Sequence, residues 1–195
     1  MNSRHSQVTD WGLSHVRVEA HDTILDVGCG GGRTLSKLAD LATQGKVYGI
    51  DFSEESVAAS KRTNARWIDL ERVEVRHGSV SQIPFQDGTF DLVTAVETHF
   101  WWPDLPADVR EIYRVLKPGG TLIVIAEVYK GANTTVAKLV EQKASRIGMR
   151  LLDVEEHRAL FADTGYSEIR IIEEHRRGWI CGMGRKPTGG TNREF

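Results

Sequence analysis

Residues 23–34 carry the feature that most constrains the fold, a short apolar run that ends in closely spaced glycines. Thr23 to Val27 has the composition of a buried strand, and leucine and alanine recur at helical spacing from Leu35 onward. The glycines between them leave the turn without Cβ atoms, so its backbone can adopt positive φ and approach a ligand closely. The segment predicts a strand, a glycine turn and a helix, with a phosphate or nucleotide-like ligand at the turn.

The spacing of the glycines distinguishes between such ligands. The dinucleotide fingerprint G-x-G-x-x-G, counted from Gly28, requires glycine at position 33, where this chain has Arg33. The segment fits D-x-G-x-G-x-G instead, with Asp26 at the end of the strand. A carboxylate there would repel a pyrophosphate and attract an ammonium or sulfonium group. A turn that only joins strand to helix would explain one or two glycines, but not four glycines and the acid.

With this motif the chain resembles the class I S-adenosylmethionine-dependent methyltransferases, especially the small single-domain type that acts on small molecules. Three further features stand in the family's order and spacing: Asp51, the loop at Gly78, and the turn Lys117-Pro118-Gly119-Gly120. The resemblance implies an α/β fold, a three-layer Rossmann-like doubly wound sheet that is mostly parallel with an antiparallel closing strand. It also implies S-adenosyl-L-methionine as the cofactor and S-adenosyl-L-homocysteine as the product.

Length and composition favour one domain and exclude several partner classes. A chain of 195 residues with 40% hydrophobic content suffices for one buried core. The net charge is −2 and the basic residues are scattered, so no nucleic-acid partner is expected. Two distant cysteines fit a reducing compartment. The chain shows no membrane-length apolar run, so no membrane contact and a cytoplasmic location are expected. No metal site is predicted.

The methyltransferase domain is expected over residues 20–186. Residues 1–19 form a possible lid, loose over residues 1–8 and helical over 11–18, in which Trp11 and His15 are candidate site residues by resemblance. Residues 131–150 form either a helical cover over the site or surface padding. Residues 187–195 are expected to be a disordered tail.

Asp51 and the loop after the third strand supply the predicted adenosine site. Asp51 lies 23 positions after Gly28, which suits a carboxylate that accepts hydrogen bonds from both ribose hydroxyls. It could instead cap the next helix, although Ser53 is available for that role. By resemblance the Gly78 loop holds adenine, with Ser79 where the family commonly has Asp. The predicted cofactor-binding residues are Asp26, Gly28, Cys29, Gly30, Gly32, Asp51, Phe52, Gly78, Ser79, Val80, Val96 and Glu97.

The stretch after the fourth strand supplies the predicted acceptor site. Three successive aromatic residues, Phe100, Trp101 and Trp102, suit an apolar wall for a ligand, and Tyr129 is the fourth predicted substrate-binding residue. His99 is the candidate catalytic base, since its ordinary pKa suits neutral pH. Glu97 and Tyr129 are alternative bases.

A methyl group on a sulfonium is already activated, so direct in-line displacement requires mainly positioning. The Asn/Asp-Pro-Pro-Tyr/Phe motif is missing after the fourth strand, where Val96-Glu97-Thr98-His99 stands, and neither a catalytic Pro-Cys pair nor a metal-binding carboxylate set is evident. A small-molecule acceptor remains by elimination.

Two alternative functions stay open: a catalytically silent cofactor-binding module, and an NAD(P)-dependent oxidoreductase, which Arg33 and Asp26 disfavour. The acceptor, the methylated atom and the oligomeric state are not predicted.

Overall fold

The computed structural model describes residues 3–189, and side chains from Ser6 onward. Within this range seven strands form a single sheet in the order β3-β2-β1-β4-β5-β7-β6. The first five strands are parallel, and β7 runs antiparallel to both of its neighbours, which confirms the predicted sheet. The strands are β1 (Thr23–Val27), β2 (Lys46–Asp51), β3 (Val73–His77), β4 (Phe90–Val96), β5 (Leu116–Ala126), β6 (Ser167–Glu174) and β7 (Trp179–Arg185).

Helices cover both faces of the sheet and complete three layers. The described helices are α1 (Ser3–Leu13), α2 (Arg33–Leu41), α3 (Glu54–Thr63), α4 (Ala65–Asp69), α5 (Leu105–Val115), α6 (Thr135–Ala144) and α7 (Val154–Thr164), with 3-10 turns at His99–Trp101 and Ser145–Ile147. None of these helices has the length and hydropathy of a transmembrane segment.

The two main core clusters lie on opposite faces of the sheet, because successive strand side chains alternate in direction. Ile24 belongs to the cluster that includes Leu35 and Leu38 of α2, whereas Leu25 belongs to the cluster of Ile112 on α5. Both strand residues are fully buried. A strand covered on both faces explains why β1 reads as an unbroken apolar run apart from its acid.

The strand order fixes where a ligand can lie. From β1 the chain proceeds outward to β2 and β3 and then returns to pair β4 on the other side of β1. This reversal opens a crevice at the carboxyl ends of β1 and β4. Asp26, Asp51 and Glu97 stand at or next to the ends of β1, β2 and β4, so one edge of the sheet brings them together.

Several local predictions differ from the structure. Residues 1–8 were expected to be loose, but α1 begins at Ser3, and Val8 is fully buried. The expected turn at 117–120 lies inside β5, where β4 pairs Phe90 with Leu116 and then Leu92 with Thr121. The four residues between these pairs form an irregularity in the ladder that bends the strand.

The domain boundaries and the tail stay predictions. Residues 190–195, which form most of the expected tail at 187–195, lie outside the described residues. The expected helix in residues 131–148 is α6 followed by the 3-10 turn Ser145–Ile147.

Candidate active site

The glycine turn between β1 and α2 is fastened to the end of β2. The N–H groups of Gly28 and Cys29 donate to the Ile50 carbonyl at 2.8 and 3.0 Å. Gly28, Gly30 and Gly32 have φ of 71°, 51° and 80°, which L side chains rarely adopt. A Cβ on Gly28 would lie 2.3 Å from the Thr98 hydroxyl, whereas one on Gly30 would meet no atom within 4 Å. The turn is therefore packed at Gly28 and open toward a ligand at Gly30.

Asn64 holds the other side of this turn, and sequence reasoning missed it. The residue is fully buried where α3 meets α4. Its Nδ2 donates to the carbonyls of Gly32 and Ser60 at 2.9 and 3.0 Å, and its Oδ1 accepts from the Ser36 hydroxyl at 2.7 Å. An asparagine at a helix end is common for local reasons, so the sequence held no signal for a contact 32 residues away.

Asp51 is buried at the end of β2, and both carboxylate oxygens accept backbone hydrogen bonds. Oδ2 accepts from the Gly30 N–H at 2.8 Å, and Oδ1 accepts from the Ser53 N–H at 2.9 Å. Ser53 itself caps α3 through its side chain, so Asp51 is not needed as that cap. Each carboxylate oxygen retains a further lone pair, which leaves capacity for two hydroxyl donors.

Asp26 is buried at the end of β1, with 2% of its surface exposed. Thr94 donates a hydrogen bond to its Oδ1 at 2.6 Å. Burial raises the pKa of Asp26 to about 7, against the Thr94 hydrogen bond, and repulsion from Asp51 adds to the rise. A buried carboxyl of this kind is stabilised in its ionised form by a nearby cation.

Two cavities open at this edge of the sheet and share Gly28 and Trp101. The first has a volume of 430 Å³ and the second 640 Å³. Fifteen predicted site residues line one or the other. Those in the first are Asp26, Gly28, Cys29, Gly30, Gly32, Val96, Glu97, Phe100 and Trp101. Those in the second are Gly28, Asp51, Phe52, Gly78, Ser79, Val80, Trp101 and Trp102.

Trp102, predicted to bind substrate, thus lies on the cavity of Asp51. Glu97 lies on the first cavity with φ of 58°, an uncommon conformation for a residue other than glycine and one often found at functional sites.

The first cavity also includes residues that sequence reasoning did not select. Ser6 and Thr9 reach it from α1, Lys37 from α2, and Met149 from the segment after α6. The Lys37 ammonium donates to the carbonyl and hydroxyl of Ser6 at 3.2 and 2.9 Å, and pairs with Asp10. The amino-terminal segment therefore contributes to the lining of this cavity through α1, and its role as a lid stays a prediction.

The two aromatic candidates of the amino-terminal segment lie elsewhere. Trp11 packs against Trp179, with ring centroids 5.8 Å apart. His15 lines a different cavity together with Asp91 and Pro118, at the amino ends of the strands.

His99 does not reach either of the two cavities, contrary to its predicted role as base. The side chain is 3% exposed, and its Nε2 lies 3.3 Å from Nε2 of His157, which is 1% exposed. Nδ1 of His157 lies 2.7 Å from the Asp153 carbonyl. Because a carbonyl only accepts, this nitrogen carries the proton, so His99 donates from Nε2 to Nε2 of His157. Burial lowers the pKa of both rings, so the pair is neutral and structural.

Tyr129 is likewise placed away from the site. Its side chain is buried, and its hydroxyl donates to Glu173 at 2.5 Å. Burial and this carboxylate raise its pKa. Tyr129 therefore joins the segment after β5 to β6 and lines neither of the two cavities, contrary to its predicted role in substrate binding. Of the three groups considered as a base, Glu97 is the one that lines a cavity.

A seven-stranded sheet of this order, with carboxylates around a glycine turn at its switch point, defines a Rossmann-like α/β protein with a ligand site at the carboxyl ends of its strands. Residues 25–124 match the family model described as "Methyltransferase domain". The chain belongs to this methyltransferase family, which confirms the resemblance seen in the sequence. The cofactor indicated by this membership is S-adenosylmethionine, as predicted.

Curated relatives and solved structures agree with this assignment. The demethylmenaquinone methyltransferase of Oceanobacillus iheyensis is 33% identical over 63% of this chain and 51% of its own length. The enzyme of the same name from Listeria welshimeri is 39% identical over 56% of this chain and 47% of its own length. The chain thus spans about half the length of these relatives.

Among solved structures, one similar chain belongs to the complex between the Haloferax volcanii Trm112 methyltransferase activator and a methyltransferase. It is 25% identical, has a TM-score of 0.82, and the match covers 94% of this chain and 91% of that one.

We predict that Asp26→Asn stabilises the protein in the absence of ligand. The folded carboxyl has its pKa near 7 against an ordinary value of 3.8, so stability is lost as pH rises through this interval. The variant should gain up to about 4 kcal/mol in free energy of unfolding at pH 8 and much less at pH 4. Urea denaturation at both pH values measures this. The exposed Asp40→Asn variant is the control, and an equal response of the two variants would contradict the assignment.

We further predict that the His99–His157 pair makes the fold sensitive to acid. Both folded pKa values are lowered, so below about pH 6.5 the unfolded chain binds more protons and stability falls. Relative to the double variant His99→Gln/His157→Gln, the wild type should lose stability between pH 7 and pH 5, by at most about 4 kcal/mol for two groups with an ordinary unfolded pKa. Urea titrations of both proteins check this, with the exposed His175→Gln as control. Parallel pH profiles for wild type and double variant would refute it.

Proposed function

We propose that this protein transfers a methyl group from S-adenosylmethionine to a small-molecule acceptor by direct in-line displacement. The observation that carries the proposal is the meeting of the two cavities at Gly28, with Asp51 on one and Asp26 on the other. An adenosine in the second cavity and an amino-acid moiety in the first would put the sulfonium where the cavities join.

The residues present suit this cofactor. Asp51 has spare acceptor capacity for the two ribose hydroxyls. In the loop after β3, Ser79 and Val80 line the same cavity and can hydrogen-bond an adenine edge. Gly30 leaves open space in the first cavity where another residue would place a Cβ. The cofactor supplies the activated methyl group, and these residues orient it.

The acceptor that the first cavity suits is a flat apolar ring. Beyond the glycine turn, its apolar lining is Val96, Phe100, Trp101 and Met149, beside the polar side chains of Ser6, Thr9, Lys37 and Glu97. Aromatic walls with a few polar groups bind planar apolar ligands. The relatives named demethylmenaquinone methyltransferase support an acceptor of the same chemical class. We therefore propose an aromatic acceptor of the demethylmenaquinone type.

Glu97 is the proposed proton acceptor for this reaction. Glu97 lines the first cavity, and its Oε1 accepts from the Glu127 N–H. During transfer the carbon–sulfur bond breaks with its electron pair left on sulfur, the acceptor bonds the methyl group, and the acceptor's proton passes to Glu97. The alternative of a silent binding module is favoured only by the burial of His99, and turnover distinguishes the two.

We predict that Asp51→Ala weakens binding of S-adenosylhomocysteine by at least about tenfold, because two hydroxyl hydrogen bonds are lost. Isothermal titration calorimetry measures the affinity. Asp40→Ala, an exposed acid on α2, should bind as the wild type does. Unchanged affinity in Asp51→Ala would remove this residue from the site. Wild-type protein that binds NAD but not S-adenosylhomocysteine would overturn the proposed function itself.

For Glu97→Gln we predict a fall in turnover of about 100-fold or more, since a positioned base contributes on that scale. The amide keeps an oxygen for the Glu127 N–H, so affinity for S-adenosylhomocysteine should change by less than about tenfold. The measurement is the rate of methyl transfer to a soluble demethylated naphthoquinol analogue, monitored through the release of S-adenosylhomocysteine. A variant with wild-type turnover would exclude Glu97 as the base.

A further inference from the structure

The outer side of α6 and of the turn that follows it carries exposed aliphatic side chains. Val136, Leu139 and Ile147 are 38%, 52% and 56% exposed. The inner side of the helix is buried through Ala137 and Ala144. Val136, Leu139 and position 143 follow the i, i+3, i+7 spacing of one helix face, so the exposed apolar groups form a stripe. We call Val136, Leu139, Lys143, Arg146 and Ile147 the α6 surface.

This stripe lies in a strongly basic stretch of an otherwise acidic chain. Residues 135–150 contain four cations and a single acid, Glu141, although the whole chain has a net charge of −2. All four cations are exposed, and none has an ion pair with another described residue. They are Lys138, Lys143, Arg146 and Arg150. Glu141 lies apart from the stripe on the helix and accepts from the Gly131 N–H at 3.4 Å.

The α6 surface is followed closely along the chain by a residue that lines the first cavity. Met149, two residues beyond Ile147, lines that cavity. The Arg150 N–H donates to the Phe100 carbonyl at 2.9 Å, which joins the segment to the aromatic wall. Trp101, on the same wall, is 49% exposed. The segment that follows the α6 surface thus contributes to the wall of the first cavity.

We propose that the α6 surface docks the protein on an anionic lipid bilayer, so that an apolar acceptor enters the first cavity from the membrane. Interspersed aliphatic and cationic side chains on one helix face suit an interface that is both apolar and negatively charged, as the boundary of an anionic bilayer is. The route of entry rests on the proposed acceptor class, and the docking itself does not. The proposal departs from the expectation from sequence that no membrane is contacted, and the experiment below decides between them.

Sedimentation of the full chain with phosphatidylcholine vesicles, with and without phosphatidylglycerol, tests the proposal. The wild type should bind the vesicles that contain phosphatidylglycerol and release them at high salt. Lys143→Glu/Arg146→Glu should weaken this binding by about tenfold or more, and Leu139→Ser should weaken it at low salt although it leaves the net charge unchanged. The matched control is Lys61→Glu/Arg62→Glu, which makes the same change in net charge at exposed positions of α3 and should bind as the wild type does.

Two results would overturn the proposed docking surface. One is that the wild type does not bind vesicles with phosphatidylglycerol, as expected if the occupant of the surface were an acidic protein. The other is an equal loss of vesicle binding in both double variants. Calorimetry with S-adenosylhomocysteine separates this failure from a failure of the proposed function. Lys143→Glu/Arg146→Glu should keep wild-type affinity for that ligand, whereas a protein without the proposed function would bind vesicles and not the ligand.

Discussion

The attachment of the glycine turn to the end of β2 is the interaction on which the site depends. The Ile50 carbonyl accepts from two N–H groups of the turn, and the neighbouring Asp51 carboxylate accepts from the Gly30 N–H. The same carboxylate therefore shapes the turn and faces the second cavity. Because Asn64 anchors the far side of the turn to α3, the ligand-facing backbone is held before any ligand arrives, which reduces the entropy lost on binding.

This arrangement places the carboxyl groups of Asp26 and Asp51 at the ends of the adjacent strands β1 and β2. Their proximity disfavours the ionised form of Asp26 in the free protein and favours a cation as ligand. Asp26 has a raised pKa because it is buried and because Asp51 is near. A diphosphate would add negative charge to this region, whereas a sulfonium or ammonium would favour the ionised form of Asp26. The burial of this acid in the free protein would therefore favour a cationic ligand over a diphosphate.

The sequence was sufficient for features that depend on local spacing. The strands β1 to β4, the glycine turn and the position of Asp51 follow from apolar runs, glycines and acids within a few residues of one another. The burial of His99 does not, because it depends on His157, 58 residues later. Proline and glycine at 117–120 correctly marked a redirection of the chain, but a turn and an irregular strand share that composition. Likewise, the contacts of Asn64 exist only once α2 and α3 have packed.

The residues proposed to bind the adenosine lie close together in the sequence, whereas the first cavity, proposed for the acceptor, also draws on distant parts of the chain. The residues proposed for adenosine, Asp51 and the loop at Gly78, lie inside the matched segment 25–124. The first cavity draws in addition on Ser6 and Thr9 before this segment and on Met149 after it. The aromatic turn that faces these residues is joined to the later part of the chain through Arg150 and His157. If this cavity holds the acceptor as proposed, residues of α1 and of the segment after α6 add to an aromatic wall that lies inside the matched segment, so changes outside that segment can alter acceptor choice and leave the adenosine cavity as it is.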